Sequence, residues 1–264
     1  GGDALRRVTG WKQVSASKQK VKWDGRVSGA SGLVAAPEGE ATLLVEMRDG
    51  AGNTAQVKRS VVVDRTLKLM GLSRKAISPN GDGRGDAALV SFKLRRAADV
   101  TVTVVRSGST LRTIRLGRLA SGTRSAEWDG KLGGGGTAES GSYSLRVTAE
   151  GALGVTTAAC PVTVDLTPPR VTAVKTASVR YGKTAKVGYT VRDAYSPTVK
   201  VSATVTDAKG RTVAKLSLGW VKQGKSHVLA WRPKARRTYT VTFKAMDLGG
   251  NRQSAPGVTT LRVR

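Results

Sequence analysis

The chain contains little of what most catalytic and metal-binding sites require. Its 264 residues include one Cys and one His, which excludes an intrachain disulfide framework and the usual His-rich metal sites. A Ser-His-Asp or Cys-His site would need His227, and no nucleophile motif lies beside it in SHVLAW. A paired-carboxylate motif is lacking too. We therefore predict that the chain is not an enzyme.

Long apolar segments are also lacking. No apolar run approaches the roughly 18 residues that cross a bilayer, so we predict neither a membrane span nor a signal peptide. Aromatic residues make up only 5% of the chain, while the hydrophobic share of 39% is normal for a globular protein. Without disulfides, the stability of such a protein must come from packing alone.

Acidic residues are scarce, and their scarcity increases along the chain. Lys and Arg number 45 against 18 Asp and Glu, a net charge of +27. Residues 1–65 contain 11 basic and 7 acidic residues, residues 66–169 contain 14 and 8, and residues 170–264 contain 20 and 3. The last third of the chain therefore produces most of the field that could attract a polyanion.

One basic run in this last third stands out. WRPKARRTY places four cations between two predicted strands: Arg232, Lys234, Arg236 and Arg237. One interpretation is a solvated loop on a secreted protein. The other is retention on an anionic partner such as wall teichoic acid or an acidic polysaccharide. No nucleic-acid motif or groove-binding helix is present, so we predict no specific nucleic-acid partner.

Three sets of sequence marks recur at intervals of about 100 residues, a period that indicates tandem domains. VVVDRT, VTVDLTPP and the terminal LRVR place equivalent ends at Asp64, Asp165 and Arg264, which are 101 and 99 residues apart. KVKWDG, SAEWDG and VLAWRP repeat around Trp23, Trp128 and Trp231. EMRDGAGN and KAMDLGGN match each other in the first and last copies, around Asp49 and Asp247.

Within each copy, alternating apolar and polar residues predict half-buried strands. Val100, Val102 and Val104 alternate with Thr, and a turn at 106–109 leads into LRTIRL, which together predict a hairpin. No segment of a dozen residues shows a helical period. We therefore predict an all-β chain of tandem immunoglobulin-like β-sandwiches, the first one incomplete.

The marks also predict the domain boundaries. Residues 1–65 would be the C-terminal part of one immunoglobulin-like domain, 66–165 a complete domain, and 166–264 a divergent and strongly basic one. The strands lacking from the first domain are expected in a larger parent protein or from a partner, because a half-sandwich exposes its edges. The paired prolines of VDLTPP predict a stiff linker.

The order of motifs in the middle copy resembles a known family. SPNGDG enters a strand and is followed by a hairpin, WDG, and GSY before an alternating strand. This order resembles the flagellar hook-capping-type (FlgD/Vpr-like) immunoglobulin-like domain, a module also found in secreted bacterial hydrolases. The resemblance extends over the whole middle copy, over the first copy from its third strand onward, and over the third copy only in outline. It implies a β-sandwich in a bacterial protein located outside the cell or on its surface.

The stretch ISPNGDGRGD has three interpretations. The first is an irregular turn in which the glycines adopt positive φ while Asn80 and Asp82 bond the backbone. The second is a calcium site of Asn80, Asp82 and Asp86, which resembles half an EF-hand and would need another carboxylate, such as Asp129. The third is an Arg-Gly-Asp adhesion motif, a weak match. We favour the turn and predict no cofactor, with calcium as the alternative.

The tryptophans have two interpretations as well. Exposed Trp side chains could stack on sugars, but Trp23 and Trp128 occupy equivalent positions before Asp-Gly, which favours packing at the edge of a core. Trp11 and Trp220 lie outside that motif and are better candidates for exposure.

These features favour a non-catalytic spacer and attachment array of a secreted or cell-surface bacterial protein. One alternative is a flagellar hook-cap assembly scaffold, which the tandem copies and the strong basicity argue against. Another is the accessory region of a secreted hydrolase whose catalytic domain lies elsewhere. The fold alone does not choose among them.

Overall fold

The structure is a computed structural model that describes residues 6–15 and 17–264. The start of the predicted first domain, residues 1–5, and residue 16 lie outside the described part. Within the described ranges every regular element is a β-strand, so the predicted all-β class is confirmed. None of the elements in those ranges is a helix that could cross a membrane.

The middle of the chain folds as a sandwich of two sheets. A three-stranded sheet has the order β10-β7-β5, and a five-stranded sheet has the order β6-β12-β11-β8-β9. All pairs are antiparallel except β6 with β12. The strands are β5 (Leu67–Leu72), β6 (Ala76–Ile77), β7 (Ala88–Leu94), β8 (Ala98–Arg106), β9 (Ser109–Leu119), β10 (Gly122–Trp128), β11 (Gly141–Gly151) and β12 (Gly154–Val164).

The last part of the chain repeats this topology strand for strand. Its sheets have the orders β13-β15-β18 and β14-β20-β19-β16-β17, again with one parallel pair, β14 with β20. The strands are β13 (Arg170–Ala173), β14 (Thr176–Val179), β15 (Ala185–Arg192), β16 (Thr198–Asp207), β17 (Thr212–Lys222), β18 (Ser226–Trp231), β19 (Thr238–Met246) and β20 (Gly257–Val263).

The alternation in the sequence explains both cores. Val100, Val102 and Val104 of β8 are buried while Thr101 and Thr103 face outward, because successive strand residues point to opposite faces. The third domain repeats the pattern with Val199, Val201, Ala203 and Val205 of β16. Each sandwich therefore has its own core, centred on Phe92 and Trp128 in one and on Phe243 and Leu229 in the other.

The first segment consists of two hairpins. They are formed by β1 (Arg26–Gly29) with β2 (Gly32–Ala35), and by β3 (Gly39–Arg48) with β4 (Thr54–Val63). Its buried cluster contains only Val27, Ala36 and Val63 among the described residues, with Val8 and Trp23 packed against it. Most side chains of β4 are exposed. The segment meets the middle domain through ion pairs of Glu38 with Arg95 and Arg96.

Candidate functional site

The turn at residues 80–86 is organised around one carboxylate. Asp86 accepts hydrogen bonds from the backbone N–H groups of Asn80, Gly81 and Gly83 at 2.8 to 3.1 Å. The side chains of Asn80 and Asp82 accept further backbone N–H groups two residues on, as in Asx turns. Gly81, Gly83 and Gly85 all have φ near +80° or +76°. These contacts match the turn interpretation, and a calcium ion at Asn80, Asp82 and Asp86 stays a prediction.

The carboxylate suggested as a further calcium ligand is already engaged. The Asp129 Oδ1 atom accepts hydrogen bonds from the Arg112 guanidinium at 2.6 Å and from the Lys131 backbone N–H at 3.1 Å. These bonds close the Trp-Asp-Gly turn after β10. Asp129 therefore stabilises its own turn and its neighbour β9.

The Arg84–Gly85 part of the 80–86 turn packs against the third domain. A Cβ atom placed on Gly85 would lie 1.9 Å from the carbonyl oxygen of Gly249, and one on Gly250 would lie 2.9 Å from the carbonyl oxygen of Arg84. The two backbones thus approach more closely than any side chain allows. Because Gly85 is packed against the neighbouring domain, this turn does not present Arg84-Gly85-Asp86 as a free loop tip.

Asn251 connects the two domains through its side-chain amide. Its Nδ2 donates to the backbone carbonyl of Asp165 at 2.6 Å and to the Asp247 carboxylate at 2.7 Å, and its Oδ1 accepts from the Ser78 hydroxyl. Ser78 belongs to the middle domain, and Asp165 lies at the C-terminal end of that domain. Asp247 and Asn251 belong to the third domain. All four residues are buried, so the amide satisfies polar groups that water cannot reach.

Three carboxylates converge at this junction. Asp165 follows β12, Asp193 follows β15, and Asp247 follows β19. They place one oxygen atom each within 4.8 Å of the others. Asp165 and Asp247 are 0% and 1% exposed. No ion pair with Lys or Arg involves any of the three in the described part of the chain, although the third domain contains 20 cations.

The hydrogen bonds of these carboxylates are unequal. Asp165 accepts from the Thr167 N–H and the Ser196 hydroxyl, and Asp247 accepts from the N–H groups of Gly250 and Asn251 as well as the Asn251 amide. Asp193 accepts two N–H groups through Oδ1. Its Oδ2 is buried, and no hydrogen-bond donor among the described residues contacts it.

Burial shifts the acidity of the cluster. Desolvation, reinforced by the charges of Asp165 and Asp193, raises the pKa of Asp247 to about 6 despite the opposing hydrogen bond from Asn251. Desolvation, and then the charge of Asp193, also raises the pKa of Asp165. Close like charges in a poorly hydrated site disfavour ionisation. The cluster therefore has an unfavourable concentration of negative charge at neutral pH.

The first segment contains the same loop in a different setting. Asp49 accepts hydrogen bonds from the N–H groups of Ala51 and Asn53 and from the Asn53 amide, much as Asp247 does with Asn251. Asp49 and Asn53 are nevertheless exposed. The internal bonds therefore belong to the motif itself, whereas Asp247 is buried where the 193–196 loop of its own domain and Asp165 of the middle domain meet.

The predicted polyanion-binding residues lie together in the loop between β18 and β19. Arg232, Lys234, Arg236 and Arg237 are all exposed, while Pro233 between them is buried. Arg237 lies 3.7 Å from the Asp207 carboxylate, and the Arg236 guanidinium lies over the Tyr181 ring at 5.6 Å. The loop is thus an exposed basic surface with two of its cations oriented by neighbours.

The tryptophans separate into the two groups expected from the sequence. Trp128 is 0% exposed, and its indole N–H donates to the Lys131 carbonyl at 2.9 Å. Trp23 is half-buried and donates to the Arg26 carbonyl. Trp11 and Trp220 are 65% and 49% exposed. Trp128 is therefore a core residue and does not form a sugar platform.

Two solved structures resemble the chain over most of its length. One is the tetra-tandem repeat in the extending region of a large adhesion protein, 19% identical, covering 89% of this chain and 61% of that one with a TM-score of 0.28. The other is red sea bream transglutaminase, 12% identical, covering 76% and 32% with a TM-score of 0.29. Both TM-scores are too low to establish a common fold for the whole chain.

Two sequence comparisons concern shorter parts of the chain. Residues 76–152 match the FlgD Ig-like domain family. The basal-body rod modification protein FlgD of Escherichia coli (strain K12) is 44% identical over 59 residues, which are 22% of this chain and 26% of that protein. The match thus spans about a quarter of the relative's length. The resemblance noted in the sequence is confirmed, and residues 76–152 form an immunoglobulin-like domain of the FlgD type.

Proposed function

We propose that the chain is a non-catalytic spacer and attachment array of a secreted or cell-surface bacterial protein. The observation that supports the spacer role is the polar junction between the middle and third domains. A flexible tether would leave the two domains independent. Here the linker 165–169 is short and contains two prolines, and Asn251 bonds groups from both sides.

Direct backbone packing adds to this stiffness. The Arg84–Gly85 segment of the middle domain contacts Gly249–Gly250 of the third domain with no side chain between them. Such a contact tolerates little sliding, because closely packed atoms repel at small displacements. The two domains would therefore transmit force and hold distance as one unit, which is what a spacer requires.

The attachment role rests on charge. The third domain contains 20 basic and 3 acidic residues, and one of the three acids, Asp207, is paired with Arg211 and Arg237. The exposed loop cations at 232–237 offer guanidinium and ammonium donors suited to phosphate and carboxylate groups. The partner we propose is an anionic polymer of the cell wall, such as teichoic acid or an acidic polysaccharide.

Sedimentation of the 264-residue chain with purified cell walls tests this role. Changing Arg232, Lys234, Arg236 and Arg237 together to Ser should weaken retention by at least about tenfold, since each cation near an anionic surface contributes about 1 kcal/mol. The matched control changes four exposed lysines on strands of the third domain to Ser, namely Lys200, Lys215, Lys222 and Lys244. Both variants lose the same charge.

Retention of the loop variant and of the control variant on cell walls distinguishes three outcomes. Loss of retention in the loop variant alone supports the loop as the binding surface, and retention should also fall as salt rises because exposed charges are screened. Equal loss in both variants would indicate diffuse charge attraction. Full retention of the loop variant at physiological salt would eliminate the loop as the attachment surface.

A hook-cap assembly scaffold is the second candidate. It is favoured by the similarity of 59 residues of the chain to the E. coli basal-body rod modification protein. Binding of the chain to isolated hook filaments, with no retention on cell walls, would support it over wall attachment. An accessory region of a secreted hydrolase is compatible with either result, because both experiments measure binding and neither measures catalysis.

A further inference from the structure

We propose that Asp165, Asp193 and Asp247 form a binding site for one divalent cation, with calcium as the best-suited ion, at the junction between the middle and third domains. The proposal does not depend on wall attachment. It differs from the calcium site that the sequence suggested at residues 80–86, because it uses different residues and lies between two domains.

The spacing of the oxygens suits a single ion. Two oxygens bound to one calcium ion at about 2.4 Å lie at most about 4.8 Å apart, and the three carboxylates place their oxygens within 4.8 Å of one another. All three donors are oxygens, which hard cations prefer, and the chain offers no Cys or His in this group. Calcium tolerates irregular geometry and completes its coordination with water, whereas magnesium demands a near-ideal octahedron.

One buried oxygen of the cluster receives no hydrogen bond from an N–H or hydroxyl group of the described residues. The Oδ2 atom of Asp193 is buried and receives no hydrogen bond from the described residues, while the other carboxylate oxygen accepts two N–H groups. An unpartnered buried carboxylate oxygen costs free energy unless something neutralises it. A cation shared with Asp165 and Asp247 would remove that cost.

The charge distribution of the third domain also favours a cation at the three carboxylates. The third domain contains only three acidic residues, against 20 basic ones. Two of the three acids, Asp193 and Asp247, lie beside Asp165 rather than beside a Lys or Arg. Arg192 and Lys225 line the adjacent open cleft of about 480 Å³, which Asp193 also borders. Neither is within ion-pair distance of the three carboxylates. The cleft is open to solvent and reaches the cluster only at Asp193.

A cation bound at the three carboxylates would strengthen the junction between the middle and third domains. The three ligands come from the end of the middle domain and from two loops of the third domain, so a bound ion would join the domains directly. Calcium would then add to the Asn251 contacts. Since a ligand that binds only the docked state stabilises it, calcium should protect the junction against opening.

Calorimetric titration of the EDTA-treated chain with calcium chloride tests the proposal, with magnesium chloride as the comparison ion. We expect one calcium ion per chain, and a Tm several degrees higher in calcium than in EDTA. In Asp193→Asn, Oδ1 can still accept both N–H groups, but a charge and a ligand oxygen are lost. Calcium affinity should fall by about tenfold or more.

The sign of the variant's effect separates a ligand site from ordinary hydrogen bonding. In EDTA, Asp193→Asn should unfold at the same temperature as the unchanged chain or higher, because a buried like charge has been removed. In calcium it should unfold at a lower temperature. A variant that is less stable to the same extent in both solutions would contradict the proposal.

The control is Asp82→Asn, an equivalent acid-to-amide change in the 80–86 turn, and it should bind calcium as the unchanged chain does. Loss of binding in Asp82→Asn with retention in Asp193→Asn would place calcium at the turn and overturn the proposal. No heat of binding and no change in Tm at millimolar calcium would also overturn it, without reference to any variant.

Discussion

Trp128→Ala is expected to lower the free energy of unfolding of the middle domain by about 3–5 kcal/mol, the usual cost of removing a large aromatic side chain from a core. The indole is fully buried, packs against Tyr143 with ring centroids 5.3 Å apart, and donates to the Lys131 carbonyl. The change would leave a cavity and remove one of the two hydrogen bonds that the Lys131 carbonyl accepts, the other being donated by Arg112 at 3.1 Å.

Denaturant unfolding measures this effect, and Trp220→Ala is its control. Trp220 is 49% exposed on β17, so its removal should change stability by about 0.5 kcal/mol or less. The transition should be resolved by domain, because a multidomain chain does not unfold in two states. Comparable losses in the two variants would refute the assignment of Trp128 to the core.

Gly85→Ala is expected to separate the middle and third domains. The new Cβ would lie 1.9 Å from the Gly249 carbonyl oxygen, and neither backbone can move without disturbing the 80–86 turn or the 247–251 loop. Gly83→Ala is a closely matched control because Gly83 has the same φ of +76° but nothing lies within 4 Å of its Cβ. Both variants incur about 1–2 kcal/mol of backbone strain.

The difference between the two variants therefore reports mainly on the docking, because the other close group, the Arg74 guanidinium 2.7 Å from the new Cβ, is the end of a flexible side chain that can move aside. Gly85→Ala should cost about 2 kcal/mol more than Gly83→Ala, in the range of other overpacked contacts. Amide hydrogen exchange at Gly250 and Asn251 should become faster in Gly85→Ala and stay unchanged in Gly83→Ala. Equal stability and equal exchange in the two variants would show that the turn does not hold the domains together.

The local structure could be predicted from the sequence because it follows from local periodicity. Alternation at Val100, Val102 and Val104 was enough to predict a strand with one buried face, and the β8 burial pattern confirms it. The Asp-x-x-x-Asn match between residues 49–53 and 247–251 likewise corresponds to the same two hydrogen bonds from Asn to Asp in both loops. Turn chemistry of this kind depends only on neighbouring residues.

The junction could not be predicted in this way. Asp165, Asp193 and Asp247 are far apart along the chain. Asp193 and Asp247 meet through the fold of the third domain, and Asp165 joins them because the middle domain docks there. Asp165 and Asp247 each lie in a motif that repeats along the sequence, which makes them recognisable. Asp193 lies in VRDAYSP, which gives no such signal. The Asp49 loop shows the limit of sequence reasoning, because an equivalent motif is exposed there. Whether this Asp-x-x-x-Asn motif is buried depends on the loops and the domain that pack against it, and the sequence of the motif does not show that.

A distance distribution between the middle and third domains shows whether they form one stiff unit. Spin labels at Thr113 on β9 and Ser217 on β17, both exposed, can be introduced in a Cys160→Ser background for pulsed EPR. We expect one narrow distribution in the otherwise unchanged chain, which becomes broad in Gly85→Ala. A broad distribution in the otherwise unchanged chain would show that the two domains move independently and do not form a stiff unit.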